Sequence, residues 1–205
     1  MKEASCRKCR RVNQKLFLKG ERCFTPKCAM VKKPYPPGLH GKRRRNISEF
    51  GAQLAEKQKL CQIYNLRERQ FERYLNMASK ERGIIGNNLL KNLELRLDNF
   101  IFRLGWAESR KKARQIVNHG QILVNGKKTD IPSFKLSKGD VVTIKRGKEN
   151  SVLFKDLKTK LKKYKTPDWI LLDLDKLEGK VKSLPTQEDA GVSVDIQMVV
   201  EYYSR

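Results

Sequence analysis

Apolar and polar residues along this chain alternate with a helical period over most of its first half. Leu66, Phe71, Tyr74, Leu75 and Ala78 recur at near-helical spacing, which predicts a helix across Arg67 to Lys80. Before it, Ser48 can cap a helix running to about Gln62. Gly83 and Gly86 interrupt the pattern. It resumes at Leu89, Leu90, Leu93, Leu97, Ile101 and Leu104, predicting one or two helices that end near Gly105. Ser109 can cap a shorter helix, Arg110 to Asn118, with Ala113, Ile116 and Val117 facing inward and Arg110, Lys111 and Arg114 outward. Gly120 is placed to take the left-handed conformation at its end.

Beyond residue 120 the period shortens. Ile122-Leu123-Val124, Asn125-Gly126 and Lys127-Lys128-Thr129 read as a hairpin, because Asn-Gly tolerates the positive φ of a type I′ turn. Gly139-Asp140 turns into a strand at Val141 to Ile144. Leu153, Phe154, Leu157 and Leu161 suggest another amphipathic helix in the basic stretch from Gly147 to Lys165. Trp169 to Leu172 and Lys180 to Lys182 can pair as short strands, and Ile196 to Tyr203 suits either strand or helix. No internal repeat or low-complexity tract is present.

Charge changes the picture more than any motif so far. Lys and Arg number 46 against 22 Asp and Glu among 205 residues, a net charge of +24. Such a balance repels itself and calls for a polyanion, nucleic acid first. An anionic membrane would need a polybasic amphipathic helix or an apolar stretch of roughly 18 residues, and the chain has neither. The first twenty residues make a poor export signal, since Leu16-Phe17-Leu18 is flanked by cations, so a cytoplasmic protein is expected. With 39% hydrophobic residues in periodic runs, the chain should fold around a core.

Cys6, Cys9, Cys23 and Cys28 form a C-x2-C-x13-C-x4-C array. Two close pairs across a short loop suit tetrahedral thiolate coordination of one structural metal ion, with no position left open for chemistry. The segment has few large apolar residues, so metal binding would supply its folding free energy. Disulfides are the rival, disfavoured in a reducing cytosol. Zinc is the default ion, and an iron–sulfur cluster would use the same thiolates. Cys61, in a helical pattern with Phe50 and Leu54, reads as a small buried hydrophobe. After the array, Pro34-Tyr35-Pro36-Pro37-Gly38 reads as an extended linker.

Four stretches together resemble the small-subunit ribosomal protein four family, bacterial type: LFLKGERCFTPKC (Leu16 to Cys28) with the Pro-Tyr-Pro-Pro-Gly that follows, YNLRERQFERY (Tyr64 to Tyr74), LELRLDNFIFRLGWAESRKKARQIVNHGQILVNG (Leu93 to Gly126) and VEYYSR (Val200 to Arg205). The third is similar to a small RNA-binding module that also occurs in pseudouridine synthases, tyrosyl-tRNA synthetases and stalled-ribosome rescue proteins. The flanking stretches make the resemblance ribosomal. It implies an α+β fold: a helical first domain with an inserted α/β RNA-binding module, of two-helix plus β-hairpin type, and an N-terminal zinc-knot extension. The implied boundaries are 1–42 for the extension and linker, 43–93 plus 176–205 for the helical domain, and 94–175 for the module. The resemblance further implies a non-enzymatic component of the small ribosomal subunit, ribosome-bound in the cytoplasm. Such a protein is a primary binder of small-subunit rRNA that nucleates assembly and contributes to the mRNA entry region and translational accuracy. Neighbouring small-subunit proteins and mRNA would be partners; no membrane or small-molecule substrate is expected.

RNA helices hide their bases in a deep, narrow major groove, so a junction binder reads phosphates, 2′-hydroxyls and shape. Lys and Arg on rigid helices suit that task, Arg adding bidentate contacts and stacking. The residues expected to contact RNA are Lys42, Arg43, Arg44 and Arg45 at the entry to the helical domain and Arg67 and Arg69 on its second helix. In the module they are Arg110, Lys111, Arg114, His119, Lys127 and Lys128. Asp98 should tie down its own helix or a neighbouring Arg. Two rivals remain: an enzyme borrowing the module, for which no catalytic constellation is visible, and a non-ribosomal RNA-binding regulator or rescue factor.

Overall fold

A computed structural model describes residues 5–42, 46–145, 147, 154, 157–162 and 164–204. The chain forms two compact units, residues 1–76 with 192–205, and residues 77–191.

The first unit opens with α1 (Ser5–Val12), a 3-10 turn (Gly20–Cys23) and α2 (Ala29–Lys32), followed by α3 (Glu49–Ile63) and most of α4 (Glu68–Lys80). Ser48 caps α3 as expected, its hydroxyl accepting from Gly51 N at 3.2 Å. The linker is not a free spacer. Arg10 Nε donates to the carbonyls of Tyr35 (2.9 Å) and Lys33 (3.1 Å), and its guanidinium lies 5.0 Å from the centre of the Tyr35 ring.

The chain returns to this unit near its end, where the ambiguous stretch resolves as a helix, Ile196–Tyr203, capped by the Asp195 carboxylate on Met198 N at 3.2 Å. It packs along α3. Leu60, Phe71 and Val199 are closed from solvent there. Buried Lys57 sits 2.7 Å from Glu68 Oε1 and 4.9 Å from the Tyr202 ring. Burial, with the hydrogen bond to Glu68, pushes the Tyr203 phenol above its ordinary range, so it stays a donor to that carboxylate. Cys61 is a buried thiol, pushed by burial up to about 12, in keeping with a core role.

The second unit contains α5 (Ile85–Glu94), α6 (Leu97–Arg103), α7 (Arg110–Asn118), β1 (Ile122–Val124), β2 (Lys127–Lys128), β3 (Val141–Ile144), α8 (Leu157–Leu161), β4 (Ile170–Asp173), β5 (Glu178–Val181) and α9 (Gln187–Ala190), which leaves α10 as the label of the helix Ile196–Tyr203. Ser109 caps α7 by accepting from Lys112 N at 3.3 Å. Asn125 and Gly126 both take positive φ, 50° and 78°, as the type I′ turn requires. The Asn125 amide also closes the hairpin onto β3, accepting from Val141 N and donating to Asp140 Oδ1, each at 2.9 Å. Of the helix expected around Leu153 to Leu161, Leu153 lies outside the described residues and regular helix begins at Leu157.

The sheet is larger than a hairpin. Five antiparallel strands run in the order β2-β1-β3-β5-β4, with Leu123 opposite both Lys128 and Thr143, and Gly179 opposite both Val142 and Leu172. Leu104, the C-cap of α6, is fully buried and rests on β5 at Gly179, where a side chain would collide with it. This topology moves the expected boundaries. A module ending at residue 175 would lose β5, which lies between β3 and β4; the unit runs to 191 and starts at 77, taking in α5. The short α9 carries no periodic apolar pattern, and a capping box of Thr186 and Asp189 starts it.

One carboxylate organises the helices of this unit. Glu94 is fully buried and receives both Nε and Nη2 of Arg103 at 2.8 Å, and Asn99 Nδ2 at 2.8 Å. Arg110 approaches to 4.0 Å and donates to Asn99 Oδ1 at 2.7 Å. Arg103 reaches on to the carbonyl of Ala190 in α9. Removing one member of such a cluster strands buried charge, at about 3–5 kcal/mol. Glu94→Gln should therefore lower the stability of this unit by roughly 3 kcal/mol, read by denaturant titration of Trp106 and Trp169 fluorescence. A loss below about 1 kcal/mol would show the cluster to be incidental.

Candidate nucleic-acid interface and cysteine cluster

The α7 helix carries an apolar stripe, Ala113, Ile116 and Val117, that is buried in the core, so the opposite face is held at the surface. Lys111 is exposed and Lys112 half-buried along that surface, and His119 is exposed just past the helix end. Together with Ser109, Gln115, Ile116 and Gln121 these three line a concave site of about 380 Å³. Among the described residues the Gln121 side-chain oxygen is closed off there without a hydrogen-bond partner. Beside it, Gly120 takes φ 61° and lets the stem of Lys128 cross its Cα where a side chain would block it. Lys127 and Lys128 are both exposed on β2. The result is a groove lined by Lys111, Lys112 and His119, with Lys128 close by over Gly120.

Arg110 does not join this surface as expected. Besides its bond to Asn99, its guanidinium lies 4.5 Å from the centre of the Phe102 ring, and its side chain is 14% exposed. The reason is electrostatic: buried Glu94 attracts the nearest guanidiniums inward, so the first residue of α7 turns to the core. Arg114 is half-buried. Lys112 and Gln115 also line the groove, although in sequence Lys112 shows only an ordinary i,i+4 ion pair with Glu108, here 3.4 Å.

A second buried ion pair fixes the entry to α6. Arg96 Nε and Nη2 reach Asp98 Oδ1 and Oδ2 at 3.0 and 2.7 Å, and Asp98 Oδ1 accepts from Asn99 N at 2.9 Å. Asp98 thus secures both its helix and a neighbouring arginine.

In the first unit Arg67 and Arg69 are exposed where α4 begins, and Lys42 is exposed with Nζ 5.5 Å from the Tyr35 ring centre. Arg43, Arg44 and Arg45 lie outside the described residues. Cys9, Cys23 and Cys28 are buried, Cys6 is half-buried, and all are free thiols. Burial raises the pKa of the Cys9 thiol above its ordinary value; a backbone hydrogen bond at Leu16 opposes this, and the neighbouring Cys23, Cys6 and Cys28 add to the rise. The four sulfurs therefore share one neighbourhood. Lys19 N also donates to Cys23 Sγ at 3.4 Å. Among the described residues no three such side chains are drawn to ligand spacing. Four thiols are the donor chemistry that a soft divalent ion takes as thiolates.

Comparison with known proteins bears on both units. The family described as ribosomal protein S4/S9 N-terminal domain matches residues 1–94, and the S4 domain matches residues 95–142. The small ribosomal subunit protein uS4 of Halothermothrix orenii is 49% identical over 200 residues, covering 98% of this chain and 96% of that protein. Those of Clostridium tetani and Alkaliphilus oremlandii, the latter designated uS4A, are 50% and 48% identical over 204 and 203 residues, each covering 99% of this chain and 98% of the relative. With identity of this order along nearly its whole length and both domain models matched, the chain belongs to the small ribosomal subunit protein uS4 family.

Proposed function

We propose that this protein is a structural component of the small ribosomal subunit, bound to small-subunit rRNA and to neighbouring ribosomal proteins in the cytoplasm. The observation that carries the reading is the full-length kinship with uS4 proteins in a chain of net charge +24. The groove along α7 supports it physically: a rigid helix, fixed by the buried Glu94 cluster, presents Lys111, Lys112 and His119 next to Lys127 and Lys128. That arrangement suits phosphates and 2′-hydroxyls of a folded RNA. Lys42, Arg43, Arg44, Arg45, Arg67, Arg69 and Arg114 are assigned to further backbone contacts, with mRNA a further partner. Arg110 acts instead by positioning α7. The protein works by binding and has no catalytic role.

Each lost phosphate contact should reduce the slope of log affinity against log salt by roughly one or somewhat less. Lys111→Gln combined with Lys112→Gln is expected to flatten that slope for a junction fragment of small-subunit rRNA and leave the circular dichroism unchanged. Arg110→Gln should do the reverse, lowering stability with little change in slope. Equal slopes for wild type and the lysine double mutant would remove this groove from the RNA interface.

Cys6, Cys9, Cys23 and Cys28 are proposed to hold one structural metal ion, zinc by default. The ion would supply the positive charge that lets the crowded thiols ionise together. The chain's own contribution is to bury three of the sulfurs and bring a backbone donor to Cys23. Protein purified under reducing conditions should carry one metal equivalent, and chelation should expose amides up to about residue 33 to hydrogen exchange while sparing the sheet. Metal-free protein with unchanged exchange would reject the site.

A further inference from the structure

Two phenylalanines on the N-terminal segment face solvent together. Phe17 is 45% and Phe24 76% exposed, and their rings stack with centroids 5.0 Å apart and planes 28° from parallel. Burying such rings is ordinarily favourable, so their joint exposure needs a reason. The backbone adds a second observation. Phe17 takes φ 49°, a left-handed conformation that a bulky side chain adopts only at an energetic cost and only where its surroundings impose it.

The surroundings that impose it are visible. Leu16 and Cys23 are buried beneath the loop, Lys19 N binds Cys23 Sγ, and Phe24 follows the 3-10 turn with its own N bonded to the Glu21 carbonyl at 3.0 Å. Both rings are therefore fixed from below and open above. Lys15, Lys19, Arg22 and Lys27 flank them, all exposed, and Glu21 is the sole acid between Ser5 and Lys33.

We propose that the Phe17–Phe24 pair is a stacking platform for an unpaired RNA base, whose adjoining phosphates meet the flanking cations. The proposal rests on the reading of this chain as an rRNA binder and assigns it a stacking contact in addition to backbone contacts. A base offers a flat π-face and a phosphate on each side, matching an apolar surface inside a cationic rim. A protein partner would have to present an apolar hollow edged with carboxylates. Stacking is largely insensitive to salt, so the platform separates from the electrostatic contacts by measurement.

The test uses the full-length protein with a labelled single-stranded adenosine dodecamer and an abasic ribose-phosphate strand of the same length. Phe24→Ala should weaken binding of the dodecamer roughly 5- to 100-fold at every salt concentration, with an unchanged salt slope, and Phe24→Tyr should keep it. In Phe24→Trp the added indole should be quenched by the dodecamer and not by the abasic strand. The native Trp106 and Trp169, 2% and 1% exposed, supply a steady background. Unchanged dodecamer affinity in Phe24→Ala, or the same indole response to both strands, overturns the platform. A surface that meets a neighbouring protein instead gives that result. If wild type also fails to bind the junction fragment of small-subunit rRNA, the proposed function falls as well, and the two failures are thereby told apart.

Discussion

A single closed-off carboxylate sets the geometry on which the second unit depends. Glu94 ends α5, and around it converge Arg103 of α6, Arg110 of α7 and, through Arg103, the last carbonyl of α9. In a chain with 46 Lys and Arg, most cations can remain in water. These two cannot: a buried carboxylate is tolerable only when paired and hydrogen-bonded, so it recruits the nearest guanidiniums and holds their helices in register. Asn99 completes the cluster by donating to Glu94 and accepting from Arg110.

The consequence reaches the surface. Because Arg110 turns inward and the apolar stripe of α7 is buried, the helix can rotate in neither direction, and Lys111, Lys112 and Gln115 are left to line the groove with His119. Asn125 does for the hairpin what Glu94 does for the helices, tying the turn to β3, while the stem of Lys128 lies beside Gly120. A binder of folded RNA gains from such rigidity, since ordering long cationic side chains on binding costs entropy. The first unit uses a different device. Arg10 anchors the proline-rich segment by its carbonyls and by Tyr35, so a run that reads as a spacer is pinned to α1.

Much of this was legible in the residues. Periodicity and caps located α3, α4, α6, α7 and the Asn125-Gly126 turn because each rests on local chemistry: a hydroxyl at the N-cap, an apolar stripe, a residue pair that accepts positive φ. What escaped depends on distant partners. The pairing of Trp169 to Leu172 with Lys180 to Lys182 is readable and β4 and β5 form it, but β5 also joins β3, with Gly179 leaving room for Leu104, which no local pattern announces. The helix Ile196–Tyr203 is decided by packing on α3 as much as by the Asp195 cap, and the inward turn of Arg110 by a carboxylate sixteen positions earlier in the sequence. The cysteine array could be read as a donor set from its spacing, whereas the stacked Phe17 and Phe24 rings become visible only once the loop between them is folded.

The central claim is that this chain is an integral part of the small ribosomal subunit, held by many simultaneous contacts to folded rRNA. Sedimentation of tagged protein with small subunits through a cushion at roughly 1 M salt addresses it most directly, since the Debye length there is about 3 Å and loosely attracted basic proteins wash away. Near-stoichiometric retention on the small subunit is the predicted result. Recovery of the protein in the supernatant, with the subunits intact below, would contradict the account.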